Sequence, residues 1–497
     1  MSTNVLALDI GTSSVRAMII DEEGNILHRE QTRYDVILVS KYMQEQSPGE
    51  IEKYFKDTVR ACVENAGVDR QSIKAMSFSS QMYNIFPVDI NGHPLYHMIL
   101  WSDSRSDEQA ERLSMIYGKS YLYEATGCPL NSMYPLSKIM WLRENEQEIA
   151  AKAYKYISIK EYIMEKIIGE YVVDYSMASG SGLFNIHQLE WDSRALSMIG
   201  ISEEQLSCPV SGAAVFEFRN QELREELGLP SGIKVVPGGG DGPLANLGSG
   251  ASKEGVINID LGTSGAARVL TSVPVVDSEQ RMWTYAVTDH MWVYGGILSN
   301  VGNGYQWMIR NIAEFAYAKS FDEIFDVVDK KLYKLPPACD DLLFLPYLIK
   351  CRSPYWDDKV KATIYGLTHE HTLVDIVKSY LESIGFDLFS LVNIIHEQVK
   401  ICPDLILTGG LSRTKTMCQM LADILGKKII TLNMAEGSIM GAAIFALYGI
   451  GVLKELSFEK ELAVDFVYQP DIDKHISYQK KYVKYIRLRN AMYNIEL

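Results

Sequence analysis

Residues 4–20 read NVLALDIGTSSVRAMII, and residues 255–270 read GVINIDLGTSGAARVL. Both pass from an apolar strand to an acid, then Gly-Thr-Ser, then a second apolar strand. Asp9-Ile10-Gly11-Thr12-Ser13 returns as Asp260-Leu261-Gly262-Thr263-Ser264. A Gly-Thr-Ser turn presents backbone N–H groups and two hydroxyls at one point, and glycine lets a bound group approach closely. Such a turn can cradle phosphate oxygens. The acid before it can hold a divalent cation, directly or through water. One copy alone is also an ordinary hairpin connection. Two copies opening two halves point to one turn per lobe, with a nucleotide gripped in a cleft between them.

The pattern extends outward from each hairpin. After the first come a further β segment within EGNILHREQTRYDV and a helix that starts at Pro48 and stops at Gly67. The strand IKAMSFSS follows. Strand–helix alternation of this kind predicts α/β layers around a central sheet. Residues 105–235 are richer in helices and polar loops. VVPGGGDGPLANLGSGA then breaks the chain with glycines around Asp241. After the second hairpin come a long amphipathic helix from Leu373, a strand DLILTGG, and a helix closed by Gly426. The tail YQKKYVKYIRLRNAMYNI reads as an exposed amphipathic helix. The expected domains are 1–248 and 249–497.

The totals set limits. The chain has 497 residues, 47% hydrophobic and 22% charged, enough for two or three cores. A net charge of -15 argues against a nucleic-acid partner, because phosphate backbones recruit basic surfaces. Small phosphates need only local donors. Seven scattered cysteines without a CxxC pair suit reduced thiols, and no basic-then-apolar leader opens the chain, so a cytoplasmic location is expected. The longest apolar run, SIMGAAIFALYGIGVL from Ser438, is short for a membrane span and reads as a tightly packed buried helix. No membrane partner is expected; a homodimer is left open.

Further segments narrow the class. The doubled turn resembles that of the actin, hexokinase and heat-shock ATPase superfamily. MYPLSKIMWLREN, from Met133, is similar to the first signature of the FGGY carbohydrate kinases, with Pro135, Lys138, Trp141 and Asn145 in place. ATIYGLTHEHTLVDIVKSYLE, from Ala362, is similar to the second, except that Tyr380 stands where a smaller residue is usual. WSDSR from Trp101, GGGDGPLANLG from Gly238 and TGGLSRTKTMCQMLADILG from Thr408 also match that family in order and spacing. Within it, the segment from Ile159 to Asp192 and LGTSGAARVL resemble gluconate kinases most, then xylulose kinases. The resemblance implies a two-lobed, ribonuclease H-like α/β fold with an interdomain active-site cleft. It also implies an ATP- and Mg²⁺-dependent transfer of a phosphoryl group to a primary hydroxyl of a small sugar or sugar acid.

It implies site residues as well. Asp241 is the expected catalytic base; on residues alone, an Asp before PLANLG is equally a helix N-cap. Asp9, with Asp241, is expected at the metal; its plain reading is a turn acid. Gly11, Thr12 and Ser13 should approach the transferred phosphoryl, with Arg16 nearby or else a solvated strand residue. Gly262 and Thr263 should touch the nucleotide phosphates. VGNGYQW from Val301 nominates Gly302 and Gln306. Gly409 and Gly410 end a strand at a helix start, where N–H groups favour phosphate or ribose; ordinary strand-to-helix turns also use glycines. Leu411 and Thr414 should lie near the adenosine. Gln81, Met82 and Tyr83 are expected at the sugar, with Trp101 and Asp103, although a Trp is more often core. His369 and His371 lack a third ligand and read as loop residues.

Three further positions, besides Tyr380, depart from the family pattern. Tyr83 follows Met82 where His is common, and Lys350-Cys351 replace Gly-Glu before Arg352. Gluconate is an anion, so a pocket for it should offer a cation or oriented donors. Arg105, Lys160 and Arg352 are the cations considered. A non-catalytic ATP-binding regulator or actin-like assembly protein is the rival class; Asp241, Trp101 and the sugar-side strand favour the enzyme.

Overall fold

The computed structural model describes residues 3–311, 330–332, 341–357, 359–400, 404–432, 436–458 and 463–495. The chain forms two compact units. The first comprises residues 1–252, 270–294 and 436–461, and the second residues 253–269, 295–435 and 462–497.

The first unit is built on a six-stranded sheet. The hairpin β1 (Asn4–Ile10) and β2 (Ser14–Asp21) is followed by β3 (Ile26–Arg33). Helix α1 (Pro48–Asn65) begins where Ser47 caps it and Pro48 fixes its first turn. Its buried residues Ile51, Phe55, Val59, Cys62 and Val63 share one face, which packs into the core with β1 and β2 residues such as Leu8 and Ala17. Then come β4 (Ile73–Ser80), α2 (Pro135–Asn145), α3 (Ile159–Ile168), β5 (Phe216–Glu217), β6 (Lys234–Gly240) and α4 (Asp241–Gly248). The sheet order is β5-β6-β4-β1-β2-β3. β1 runs parallel to β4, and β4 parallel to β6.

The register of these three strands positions the site. Ile10 pairs with Ser80, and Ser80 with Gly240. All three strands therefore finish at one edge, and Gly11, Gln81 and Asp241 emerge side by side. Ligands of open α/β sheets gather at such carboxyl ends. The glycine-rich stretch is thus not a break, as its composition predicts. β6 continues through Gly238–Gly240 with a bulge after Val236, then passes directly into α4. Helix α4 packs on a helix at Gly437–Gly449, from the Ser438 apolar run; its residues 439–447 are all buried. Glycines permit this approach: a Cβ on Gly248 would lie 1.9 Å from the Gly437 carbonyl oxygen. No helix among the described residues is long and apolar enough to cross a membrane.

The second unit repeats the hairpin as β7 (Val256–Leu261) and β8 (Gly265–Thr271). It continues with α5 (Gly302–Asn311), α6 (Leu373–Val399), β9 (Asp404–Thr408), α7 (Lys415–Leu425), β10 (Ile429–Leu432), β11 (Val464–Tyr468) and α9 (Ile472–Tyr493); the Gly437–Gly449 helix is α8. β7 runs parallel to β9, with Asp260 opposite Thr408, so Leu261 and Gly409 leave the sheet together. The tail helix α9 is amphipathic as its sequence predicts. It buries Tyr478, Lys481, Tyr485 and Arg489, and Lys481 Nζ donates to Glu382 Oε2 of α6 at 2.7 Å.

Candidate active site

The first turn is braced on several sides. Gly11 N–H donates to Ser14 O at 2.9 Å, closing the turn. Thr12 Oγ1 donates to Gln81 Oε1 at 3.1 Å, and Gln81 Nε2 donates to Gly11 O at 3.3 Å. Gln46 Nε2 donates to Thr12 O at 2.7 Å, and the Tyr34 hydroxyl to Gly11 O at 2.5 Å. The Gly11 and Thr12 carbonyls are thereby engaged, and the Gly11 N–H is committed to closing the turn. Ser13 is exposed.

Asp9 lies beneath the turn, 2% exposed. Its Oδ1 accepts from Ser79 Oγ at 2.6 Å, and its Oδ2 from Arg16 Nε at 3.1 Å and Nη2 at 2.5 Å. Three of the roughly four acceptor directions of the carboxylate are thereby used. Asp9 is better built to orient Arg16 than to ligate a metal directly. Arg16 also pairs with Glu436. Burial works to lower the guanidinium pKa, but Asp9, then Glu436 and Asp241, outweigh it, and the net direction is up. Arg16 is therefore a fixed, partly buried cation beside the turn, not a solvated strand residue.

Asp241 is exposed at the first position of α4. Gly240 occupies the N-cap and no side chain caps the helix. Asp241 Oδ1 instead accepts the adjacent Gly242 N–H at 2.8 Å. The N-cap reading therefore fails on geometry, and a carboxylate projecting from the sheet edge remains. Lys160, from α3, steadies the strand behind it: Nζ pairs with Asp174 Oδ2 at 2.5 Å and donates to Gly239 O at 3.1 Å. Burial lowers the Lys160 pKa, against the pull of Asp174.

The expected sugar-side residues divide. Trp101 is half-buried, and its Nε1 donates to Thr12 Oγ1 at 3.2 Å, which ties it to the turn rather than to the core. Met82 packs over Gly240, where a Cβ would lie 2.6 Å from its sulfur. Tyr83 is half-buried with φ of 62°, an unfavourable conformation for a bulky residue. Its hydroxyl lies 3.1 Å from that of Tyr285, and its carbonyl accepts from Lys138 Nζ at 2.7 Å. Lys138 Nζ also donates to Leu100 O at 2.7 Å, so one fully buried lysine of α2 holds the Tyr83 and Trp101 segments together.

Asp103 departs from expectation. Its side chain has no exposed surface. Oδ1 accepts from the Arg105 backbone N–H and Nε at 2.9 Å each, and Oδ2 from Gln44 N–H at 2.6 Å and Arg105 Nη2 at 2.7 Å. With its acceptors filled, it organises the loop instead of offering a sugar contact. Arg105, also paired with Glu45 Oε1 at 2.8 Å, is engaged in the same way. Arg352 lies in the second unit, 8% exposed. His371 Nδ1 accepts the Thr368 N–H at 2.9 Å within a turn.

In the second unit, the turn at Gly262–Thr263 meets the segment from Val301. Gly302 N–H donates to Gly262 O at 3.1 Å and Asn303 N–H to Thr263 O at 3.0 Å. Gly409, with φ of +90°, lies against the base of the same turn. A Cβ there would be 2.6 Å from Asp260 Oδ1 and 2.4 Å from the Leu261 carbonyl carbon. Burial raises the Asp260 carboxyl pKa, and Arg268 opposes it. Gly262, Thr263, Gly302 and Gly409 are thus brought together. Gly410 and Gln306 are exposed nearby in sequence, while Leu411 and Thr414 are buried, the Thr414 hydroxyl donating to Leu411 O at 2.8 Å.

Gln46, Tyr34, Ser79 and Glu436 were not anticipated. Glu436 lies 420 positions from Arg16, and no local pattern links them. Lys138 had a signal: a lysine amid apolar helix neighbours.

Comparison with known proteins agrees with this layout. The N-terminal domain of the FGGY family of carbohydrate kinases matches residues 4–248, and its C-terminal domain residues 257–450. The gluconokinase of Bacillus subtilis (strain 168) is 34% identical over 461 residues, covering 91% of this chain and 88% of its own. A xylulose kinase of Staphylococcus epidermidis is 28% identical, covering 97% and 95%. The crystal structure of gluconate kinase from Lactobacillus acidophilus superimposes with a TM-score of 0.92 at 26% identity, covering 99% of this chain and 98% of that one. The likeness spans the chain and carries the two-domain, actin-like α/β fold with it. This chain belongs to the FGGY family of carbohydrate kinases.

Proposed function

We propose that the protein transfers the γ-phosphoryl group of ATP to the primary hydroxyl of D-gluconate, giving 6-phospho-D-gluconate. The observation that supports this most is the strand register that delivers Gly11, Gln81 and Asp241 to one sheet edge. β1 and β6 are two inter-strand spacings apart, about 10 Å, room for a phosphoryl group and a hydroxyl between turn and carboxylate. Asp241 orients the sugar hydroxyl and takes its proton as the P–O bond forms. The first-turn N–H groups and Arg16 meet the charge on the transferred group. Tyr83 and Trp101, both half-buried, face the sugar, with Gln81 and Met82 buried behind them as its support. Gly262, Thr263, Gly302 and Gly409 hold the nucleotide phosphates, with Gly410, Gln306, Leu411 and Thr414 toward the nucleoside.

Mg²⁺ would ride on the phosphates and neutralise charge there; it needs few protein ligands. Asp241 is the exposed carboxylate suited to it, with Asp9 acting through Arg16. We read residues 1–248 as the sugar side and 249–497 as the nucleotide side, in a cytoplasmic enzyme.

A neutral ketose such as xylulose is the second reading. It is favoured by the engagement of Arg105 and Lys160 with buried acids, which leaves neither for a substrate carboxylate. ADP release across a panel of sugars and sugar acids tests both. The first reading expects the highest kcat/KM with gluconate; preference for a ketose or polyol would replace it with the second.

A further inference from the structure

The start of α5 at Gly302 is held from two sides, and only one of them is the Gly262–Thr263 turn it serves. On the near side, Gly302 and Asn303 donate to the carbonyls of Gly262 and Thr263. A Cβ on Gly302 would lie 2.4 Å from Gly262 O, so helix start and turn touch without slack. Within this segment, Asn303 Oδ1 accepts Val301 N–H at 3.1 Å and Gly304 N–H at 2.7 Å, and Asn303 Nδ2 donates to Ser299 O at 2.8 Å.

On the far side stands Tyr380 of α6, fully buried. Its hydroxyl lies 3.0 Å from Asn300 O and 3.1 Å from Val301 O, and its ring packs edge-on to Phe344. A Cβ on Gly304 would come within 2.0 Å of that hydroxyl oxygen. Tyrosine and glycine are a matched pair: the large side chain fills the space that Gly304 leaves. Tyr380 is also the position at which the second family signature usually carries a smaller residue. The clamp is thus built on a residue that departs from that signature. Burial raises the phenol pKa, so the group stays a neutral donor, its single proton serving one carbonyl at a time.

We propose that Tyr380 is a positioning residue for nucleotide binding. Its hydroxyl fixes the height of Gly302 and Asn303 against the Gly262–Thr263 turn, so that the turn meets the nucleotide preformed. This rests on the reading of that turn as a nucleotide phosphate loop.

Tyr380→Phe keeps the ring and removes the hydroxyl. The net worth of one neutral hydrogen bond corresponds to about 2- to 12-fold in affinity. The Kd for ADP by calorimetry, and KM for ATP, should rise by about that factor. KM for the sugar and kcat should stay within about 2-fold, since the sugar side and Asp241 are untouched. A merely structural role would lower Tm and leave the ADP Kd unchanged, and that result would overturn the proposal. A second pair tests the contact itself. Gly304→Ala should strongly weaken ADP binding beside Tyr380 and be tolerated in a Tyr380→Ser background; equal damage in both would also overturn it. Wild-type protein serves as the control: if it fails to bind ADP, the reading of the turn falls, whereas normal wild-type binding with an unchanged Tyr380→Phe Kd sinks the clamp alone.

Discussion

Asp241→Asn changes charge at one exposed point while keeping shape. Asn retains the Oδ1 that accepts the Gly242 N–H, and the helix relies on no side-chain cap, so the substitution should alter stability by less than about 0.5 kcal/mol. Arg16 keeps its bonded partners Asp9 and Glu436. What disappears is the group able to take a proton from the attacking hydroxyl. General-base help is typically worth about 10² to 10⁴ in rate, and the lower figure is about 2.7 kcal/mol of barrier. kcat should therefore fall at least about 100-fold. The ADP Kd should not move, because the proposed nucleotide contacts lie elsewhere. The assay is coupled ADP release at saturating sugar and ATP, beside a thermal melt and ADP calorimetry. A folded Asp241→Asn protein with kcat within a few-fold of wild type would refute the assignment of the base.

Two further outcomes follow from buried groups. Lys138→Met removes the donor to both the Tyr83 and Leu100 carbonyls; at about 1–3 kcal/mol for each buried group left unpaired, scanning calorimetry should show Tm lower by roughly 3–9 °C, and an unchanged Tm would contradict the bracing role. Asp387 of α6 is pushed up to about 7 by burial, against the hydrogen bonds of Tyr485 and Tyr347. A raised carboxyl binds its proton more tightly in the folded state, so its contribution is present below the ordinary value near 3.9 and is lost as pH rises toward 7. Wild-type stability should fall over that window relative to Asp387→Asn, and parallel pH profiles of Tm would contradict it.

Much of the frame was legible in the chain, for physical reasons that can be named. The repeated Asp-x-Gly-Thr-Ser hairpins, Pro48 and Gly67 around α1, and the Gly-Ala run of α8 each carry local signals that their surroundings do not override. The glycines before Asp241 misled because composition cannot distinguish a chain break from a strand with a bulge; only pairing with β4 decides it. Asp103 misled because its neighbours in sequence, Trp101 and Arg105, match a sugar-side pattern, whereas its acceptors are filled by Arg105 and by Gln44, 59 positions away. Arg16 was ambiguous until Asp9, its cross-strand partner, and the distant Glu436 were placed around it. α8 joins the first unit although it lies late in the chain, a long-range packing choice that periodicity does not record.

The proposed reaction is phosphoryl transfer from ATP to the C6 hydroxyl of gluconate. Phosphorus NMR of the purified protein with ATP, Mg²⁺ and gluconate tests it most directly, because it identifies the product as well as the rate. One new phosphomonoester, coupled to the C6 methylene protons, should accumulate in equal amount with ADP. No phosphomonoester from gluconate, alongside brisk phosphorylation of xylulose or another neutral sugar under the same conditions, would contradict it.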